Sequence, residues 1–396
     1  MTKYLRGNRD LIKALNITTV LNVVKNLGPI SRVEIAQKTH LSAATISNIT
    51  AELIENHLIF EKEEGNSSGG RKPIMLVLNP TGAYVIGLKL AADHVTGALT
   101  NIQAKVIVKR TVFLKGRSLD NVLSCITDIV VNLLKDGNVQ KTKLLGVGLG
   151  MAGIINAENG QLKYTSIFDW HDVNIVEMLT KRLKVPIYVD NDVNTLALTE
   201  NWFGAGRGMD NFLLVTVGRG VGMGIVINGQ IYRGSFGGAG EFGHTVIEIN
   251  GPLCDCGKRG CLESIASDPA IMKSATEKIS QGELPNDIKD IIDLISLGKN
   301  GNTVVQKIFA KAGEALGVGI ANLINIFNPQ MVIISGEGVR AGALLMNPMK
   351  IAIKKNVFNG LFELTEIIVD PLDDDAWARG SASLVLQKLF ESPIHQ

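Results

Sequence analysis

No window of this chain offers the ~20 consecutive apolar residues needed to cross a bilayer, and the polar N-terminus lacks a signal-peptide core. Cysteine is scarce: four residues in 396, three of them gathered at Cys254, Cys256 and Cys261. That usage speaks against a disulfide framework and fits a reducing compartment. An excess of one charge is missing as well, with 40 basic against 38 acidic residues, so the whole chain is no general binder of polyanions. Low-complexity tracts and short-period repeats are absent too. Together these absences predict a soluble, cytoplasmic chain with no membrane partner, long enough for two or three compact units.

What is present concentrates between Gly234 and Glu263, GSFGGAGEFGHTVIEINGPLCDCGKRGCLE. His244, Cys254, Cys256 and Cys261 make a Cys3His set, which suits tetrahedral zinc with thiolate and imidazole ligands. Gly257 and Gly260 let the backbone turn tightly enough to bring three sulfurs to one ion. Cys254 and Cys256 are too close to pair easily as a disulfide, and a thiol would be left over; plain buried or reactive thiols are the remaining alternative. Four protein ligands leave no position open for water, so the zinc is expected to be structural.

The N-terminal 40 residues carry seven basic and two acidic side chains, a local excess that suggests phosphate contact or a solvated face. Val20, Leu21, Val24 and Leu27 recur at helical spacing before Gly28-Pro29. Ser31 and Glu34 stand at capping-box spacing for a second helix ending near Thr39-His40. Ser42 opens a third, with Ile46, Ile49, Leu53 and Ile54 inward and Ser42, Ala43, Thr45, Ser47, Asn48 and Thr50 outward. Two helices joined by a short turn predict a helix-turn-helix, its small polar residues able to reach base edges and phosphates. Leu58–Lys62 and Ile74–Leu78 read as a hairpin, the wing of a winged helix. Its tip, Gly69-Gly70-Arg71-Lys72-Pro73, offers Arg71 and Lys72 to a minor groove; a solvated linker is the other reading.

Beyond Asn79-Pro80-Thr81-Gly82 the chain alternates strands and helices, predicting an α/β body. Two meander-plus-helix halves, from Tyr84 and from Phe212, hint at an internal duplication. Asn191-Asp192 falls where a strand enters a helix, a usual place for ligands in open α/β folds. Asp192 there is either a partner for ligand hydroxyls or an ordinary helix N-cap. Glu241, His244 and Glu263 extend the set of fixed polar groups that a polyhydroxylated ligand needs, although Glu263 could instead cap or pair at the surface.

Gly240–His244, the run Cys254-x-Cys256-Gly257-x-x-Gly260-Cys261-Leu262-Glu263, and Asn191-Asp192 resemble the ROK family of repressors and sugar kinases. The N-terminal segment and the Gly69–Pro73 wing resemble its winged-helix repressor branch, and the resemblance covers nearly the whole chain. It implies an N-terminal winged helix-turn-helix (1–80) followed by a two-lobed actin- and hexokinase-like α/β fold. The lobes would be 81–190, with a C-terminal helix (375–396) packing back, and 191–374 with the zinc site. It also implies sugar contacts in the inter-lobe cleft from Asn191, Asp192, Glu241, His244 and Glu263, with His244 facing both metal and sugar.

The chain departs from the kinase pattern at the first phosphate loop. Gly87-Leu88-Lys89-Leu90-Ala91-Ala92-Asp93-His94 stands where Asp-x-Gly-Gly-Thr is expected, and Gly218-Arg219-Gly220 replaces Gly-Thr-Gly. Without the glycine pair the backbone cradle for phosphates is lost. The run Tyr164–Trp170 also lacks the asparagine that relatives often place near Ser166. The expectation is therefore a sugar-responsive repressor, not an enzyme. It would bind operator DNA as a homodimer or homotetramer and respond to a monosaccharide such as xylose or glucose. The alternative is a zinc-containing ATP-dependent sugar kinase with Asp192 as base.

Overall fold

The structure, a computed structural model, describes residues 9–63, 73–371 and 375–390. These residues gather into two compact units. One takes the described residues of Met1–Met151, Ala157–Asp190 and Trp377–Gln396, the other Ala152–Asn156 and Asn191–Ala376.

The first unit begins with a three-helix head. Helix α1 (Arg9–Leu27) buries Val20, Leu21 and Val24, while Leu27, expected inward, is half exposed. A two-residue strand, β1 (Ile30–Ser31), leads into α2 (Arg32–Thr39), where the capping box forms as the spacing predicts. The Glu34 N–H donates to Ser31 Oγ (3.3 Å), and the Ser31 N–H donates to Glu34 Oε2 (2.9 Å). Ser42 caps α3 (Ala43–Glu55) by accepting from the Thr45 N–H. The buried stripe of α3 is Ile46, Ile49, Thr50 and Leu53, with Ile54 only half buried. Thr50, expected outward, is fully buried: it lies four residues after Ile46 and three before Leu53, on the face the apolar stripe defines. Strands β2 (Ile59–Glu63) and β3 (Ile74–Leu78) form the wing hairpin in register Ile59↔Leu78, and β1 adds to the other edge of β3. The wing-tip residues Arg71 and Lys72 lie outside the described residues.

A meander follows: β4 (Tyr84–Leu90), β5 (His94–Asn101) and β6 (Val106–Phe113), then α4 (Leu119–Asp136), which holds half-buried Cys125, and β7 (Leu144–Met151) parallel to β4. Next come β8 (Ile154–Asn156) and a hairpin the sequence does not reveal, β9 (Gln161–Thr165) and β10 (Trp170–Val173). At its turn Phe168 stacks on Trp170, and Asp169 takes a left-handed φ of 54°. Helix α5 (Ile175–Leu183) and strand β11 (Ile187–Asn191) complete the sheet, in order β11-β7-β4-β5-β6.

The second unit repeats that order. After α6 (Asp192–Phe203) comes the meander β12 (Phe212–Val217), β13 (Val221–Ile227) and β14 (Gln230–Ile231). A glycine-rich loop then leads to α7 (Glu263–Ala266), α8 (Asp268–Ser280), α9 (Ile291–Lys299) and α10 (Thr303–Phe327). Strand β15 (Met331–Ser335) lies parallel to β12; α11 (Ala343–Asn356) and β16 (Glu366–Val369) follow, giving β14-β13-β12-β15-β16. Meander, parallel partner and outer strand thus appear in the same sequence in both sheets, which supports the internal duplication. The core here packs Phe309, Leu316 and Ile320 of α10 against Leu213, Val215 and Val332 of the sheet and Leu345 and Met349 of α11.

The last described element is α12 (Ala376–Phe390), whose residues from Trp377 on belong to the first unit. It lies directly on β4 and β7: a Cβ at Gly87 would come within 2.0 Å of the Ala378 carbonyl oxygen, and one at Gly148 within 1.7 Å of that of Ser381. Only glycine permits so close a crossing. Among the described residues no helix is long and apolar enough to cross a membrane.

Candidate functional site

The junction of β11 and α6 positions the first pair of candidate residues. Asn191, not Asp192, is the N-cap: its Oδ1 accepts from the Val193 N–H (2.8 Å), while its Nδ2 donates to the Gly153 carbonyl (3.1 Å). Both ends of the amide are thereby fixed. Asp192 becomes the first helical residue, where the positive end of the helix favours a carboxylate.

Glu241 and His244 sit on the loop after β14, in and beside a short helical turn at Phe242–His244. Gly240 makes that turn possible, with φ at 95° and its Cα so close to β13 that a Cβ would lie 2.1 Å from the Met223 carbonyl oxygen. Phe242 is buried beneath, which turns the polar neighbours outward from the core. His244 Nε2 lies 4.0 Å from Glu241 Oε2, and Nδ1 lies 3.7 Å from Cys254 Sγ. The imidazole therefore faces the carboxylate with one nitrogen and the thiols with the other.

The four metal-type ligand atoms, one each from His244, Cys254, Cys256 and Cys261, lie within 4.8 Å of one another. Cys256 Sγ and Cys261 Sγ are 3.6 Å apart. Gly257 and Gly260 both take positive φ, 85° and 74°, as the tight turn requires. Lys258, which no local pattern singles out, donates from Nζ to the His244 carbonyl (3.1 Å) and ties the two halves of the loop. Burial pushes the Cys254 thiol up to about 12 and raises Cys261, the latter also through its bond to Cys256. Burial opposes ionisation of Cys256 as well, but the Lys258 backbone and the neighbouring thiols outweigh it and lower that thiol. Three thiols so close resist shedding all their protons unless a cation replaces the charge. The donor set and spacing fit a metal ion bound by soft ligands.

Glu263 opens α7 two residues after Cys261. Its Oε2 accepts from the Val221 N–H (2.9 Å), and the bare Cα of Gly220 leaves room for it: a Cβ there would fall 2.7 Å from that oxygen. The carboxylate is thus seated against β13 rather than paired at the surface. Burial raises the pKa of Glu241; His244 pulls it down, while Glu263 and Asp192 push it up. Asp192, Glu263 and His244 are therefore each within electrostatic reach of Glu241. All five residues expected to meet a sugar belong to the second unit.

The two stretches that depart from the kinase pattern are engaged within the chain. Lys89 Nζ stands 3.3 Å over the Trp377 ring, a cation–π contact that holds the start of α12. The following turn closes on itself, the Ala91 N–H donating to the His94 carbonyl (2.9 Å). In the second unit the Gly218 N–H donates to the Gly220 carbonyl (3.0 Å). A Cβ at Gly218 would come within 2.5 Å of Glu337 Oε2, so a carboxylate lies against this turn. Asp268, held by Arg340, adds a second, its pKa raised by burial and by Glu337 against the pull of Arg340.

On the head, Ser42, Ala43, Ser47 and Asn48 are exposed on the N-terminal half of α3, and Thr45 is half buried. Ser42 Oγ and Thr45 Oγ1 share a hydrogen bond at 2.8 Å.

Comparison with known proteins agrees with this geometry. The model of the ROK family matches residues 85–388. The xylose repressor of Caldicellulosiruptor bescii is 32% identical over 395 residues, covering 98% of this chain and 99% of its own. The DNA-binding transcriptional dual regulator NagC of Escherichia coli is 30% identical over 393 residues, covering 98% and 97%. Among solved structures, a ROK family transcriptional regulator homologous to the E. coli MLC protein superposes with a TM-score of 0.87 at 27% identity, over 96% of this chain and 97% of its own. A ROK family glucokinase from Streptomyces griseus, solved with glucose and AMPPNP, gives 0.67 at 24% identity, a likeness of fold alone.

Proposed function

The chain belongs to the ROK family, and from that premise we propose that it is a sugar-responsive transcriptional repressor. One observation carries the reading. The glucokinase is covered over 99% of its length by only 76% of this chain, whereas the two regulators are covered nearly whole by 98% of it. The remainder is accounted for by the winged head, which makes this architecture a regulator's.

In this reading α3 presents Ser42, Ala43, Thr45, Ser47 and Asn48 to operator DNA, and Arg71 and Lys72 reach the minor groove beside it. Asn191, Asp192, Glu241, His244 and Glu263 bind the hydroxyls of a monosaccharide, xylose or glucose first, with N-acetylglucosamine next. Asp192 accepts from sugar hydroxyls without passing the sugar oxygen to a phosphoryl group: the first phosphate loop lacks its glycine pair, Lys89 is engaged with Trp377, and the carboxylate of Glu337 lies against the Gly218 turn, where it would repel phosphate. His244, Cys254, Cys256 and Cys261 hold zinc, which when bound cross-links the loop and fixes the His244 ring between metal and Glu241. Sugar shifts the population of operator-competent molecules, and a homodimer or homotetramer reads a two-fold site.

The test is fluorescence anisotropy with a duplex enriched from a random pool by the wild-type chain, titrated with xylose, glucose and N-acetylglucosamine and repeated on Asp192→Ala. One sugar should change duplex affinity at least ~5-fold, the lower range of allosteric coupling, and the variant should abolish the change. Sugar-dependent ATP turnover lost in Asp192→Ala would instead establish a kinase.

A further inference from the structure

Arg32 reads in the sequence as one of seven basic residues available to phosphates. Its surroundings say otherwise. It stands at the first position of α2, directly after β1, and its guanidinium reaches two other elements. Nε donates to Thr50 Oγ1 on α3 (3.0 Å), and Nη2 donates to Glu61 Oε1 on β2 (2.7 Å). Thr50 is fully buried, and its hydroxyl passes the chain on by donating to the Ser47 carbonyl (3.2 Å). Ser47 is one of the residues α3 exposes towards DNA.

Building on the DNA-binding reading above, we infer that Arg32 is a positioning residue, one that clamps the recognition helix to the wing and makes no phosphate contact itself. A planar fork fixes the angle between its two acceptors, which an ammonium on a flexible stem cannot do. Glu34, the nearest other carboxylate in sequence, is taken up by Ser31 in the capping box and does not compete. Glu61 pairs across the hairpin with Leu76, which also pairs with Ile30, so the clamp spans the three-stranded sheet from β1 to β2. Lys13 is likewise engaged, with Glu52 of α3 at 2.8 Å. The local positive charge of the head is thus partly engaged by its own carboxylates, on α3 and on β2.

A clamp and a phosphate contact differ in what their loss does. Removing a phosphate contact weakens binding to every duplex and lowers the slope of log K against log salt by ~0.9. Removing a clamp leaves the slope alone and lowers the preference for the right sequence. The experiment uses the full chain, a duplex it enriches from a random pool and a scrambled duplex, each titrated between 50 and 200 mM salt (about the range in which counterion release is read). Arg32→Met should weaken the enriched duplex ~10-fold, the effect of one lost charge-assisted contact, and leave the scrambled duplex within about 2-fold and both slopes unchanged. Thr50→Val, which keeps the packing and drops the acceptor, should lose ~3-fold in the same direction. Exchanging the partners, Arg32→Glu with Glu61→Arg, should restore the ion pair but not the bond to Thr50, and so bring the loss back to the ~3-fold of Thr50→Val. A slope lowered by ~0.9 with both duplexes weakened would make Arg32 a phosphate contact and overturn the inference. So would equal weakening of both duplexes that tracks a lowered melting temperature, or no change in any variant. A wild-type chain that enriches no duplex overturns the DNA-binding reading itself, and the clamp with it.

Discussion

Replacing Gly220 with alanine should weaken the proposed sugar site while leaving the fold nearly untouched. Gly220 has no left-handed φ, so the alanine backbone is unstrained, but the new Cβ would lie 2.7 Å from Glu263 Oε2. That atom ends a flexible side chain, so it swings away. In doing so it abandons the Val221 N–H that now holds it at 2.9 Å. The fold loses one hydrogen bond, about 1 kcal/mol, and gains roughly 0.4–1 kcal/mol from a stiffer unfolded chain. The net is near zero, and melting should move by no more than ~4 °C. A sugar that relied on Glu263 loses one charge-assisted hydrogen bond, ~1.5–3 kcal/mol. At ~1.4 kcal/mol per decade that is a ~10- to 100-fold weaker complex. Titration calorimetry with xylose, glucose and N-acetylglucosamine gives the affinity, and metal content on the same samples shows whether the His244 and cysteine cluster survives. An affinity within about 2-fold of wild type at equal metal content would remove Glu263 from the sugar site. A melting drop beyond ~10 °C would mean that the clash falls on the backbone and that the carboxylate is not free to move.

Cys261→Ser should abolish stoichiometric metal binding and weaken sugar binding with it, because Glu263 is two residues away; a variant that keeps a full equivalent of metal would refute the four-ligand site. Asp268 supplies a pH test. Its folded pKa is raised above the ordinary 3.8, chiefly by burial, so the folded chain holds this proton more tightly than the unfolded one. Stability from this group is then fully present below the ordinary value and is lost as pH rises through the raised one. Denaturant midpoints of wild type and Asp268→Asn should converge or cross in that sense as pH rises from about 4. A wild-type advantage that grows with pH would show that the Arg340 pair outweighs burial.

Much of this was legible in the residues because the signals are local. The Ser31/Glu34 capping box, the wing strands, both meanders and the Cys3His spacing each rest on a few neighbouring positions. Thr50 was misread because its polarity masks a helical position that geometry buries, and charge alone does not show that Glu61 and Thr50 face Arg32. The N-cap was the alternative reading of Asp192, since aspartate commonly is one; Asn191 takes that place, accepting from the helix and donating to Gly153 at once. Helix α11 was hidden by Pro348 within it, which reads as a breaker but packs against Gly313 of α10. Strands β9, β10 and β16 are short, and their pairing depends on partners far along the chain or on turn residues such as Asp169. Lys89 was recognised as a departure from the kinase pattern; that it holds Trp377 could come only from the fold.

The seating of α12 on Gly87 and Gly148 bears on how the protein is made. Strands β4 and β7 leave the ribosome before the helix that covers them, with most of the second unit emerging in between. The first unit therefore cannot finish folding in the order of translation, as chains built from consecutive domains do. Its glycine-lined sheet face waits uncovered until α12 has been made, and the nascent chain must be kept from pairing or aggregating through that face for the whole interval.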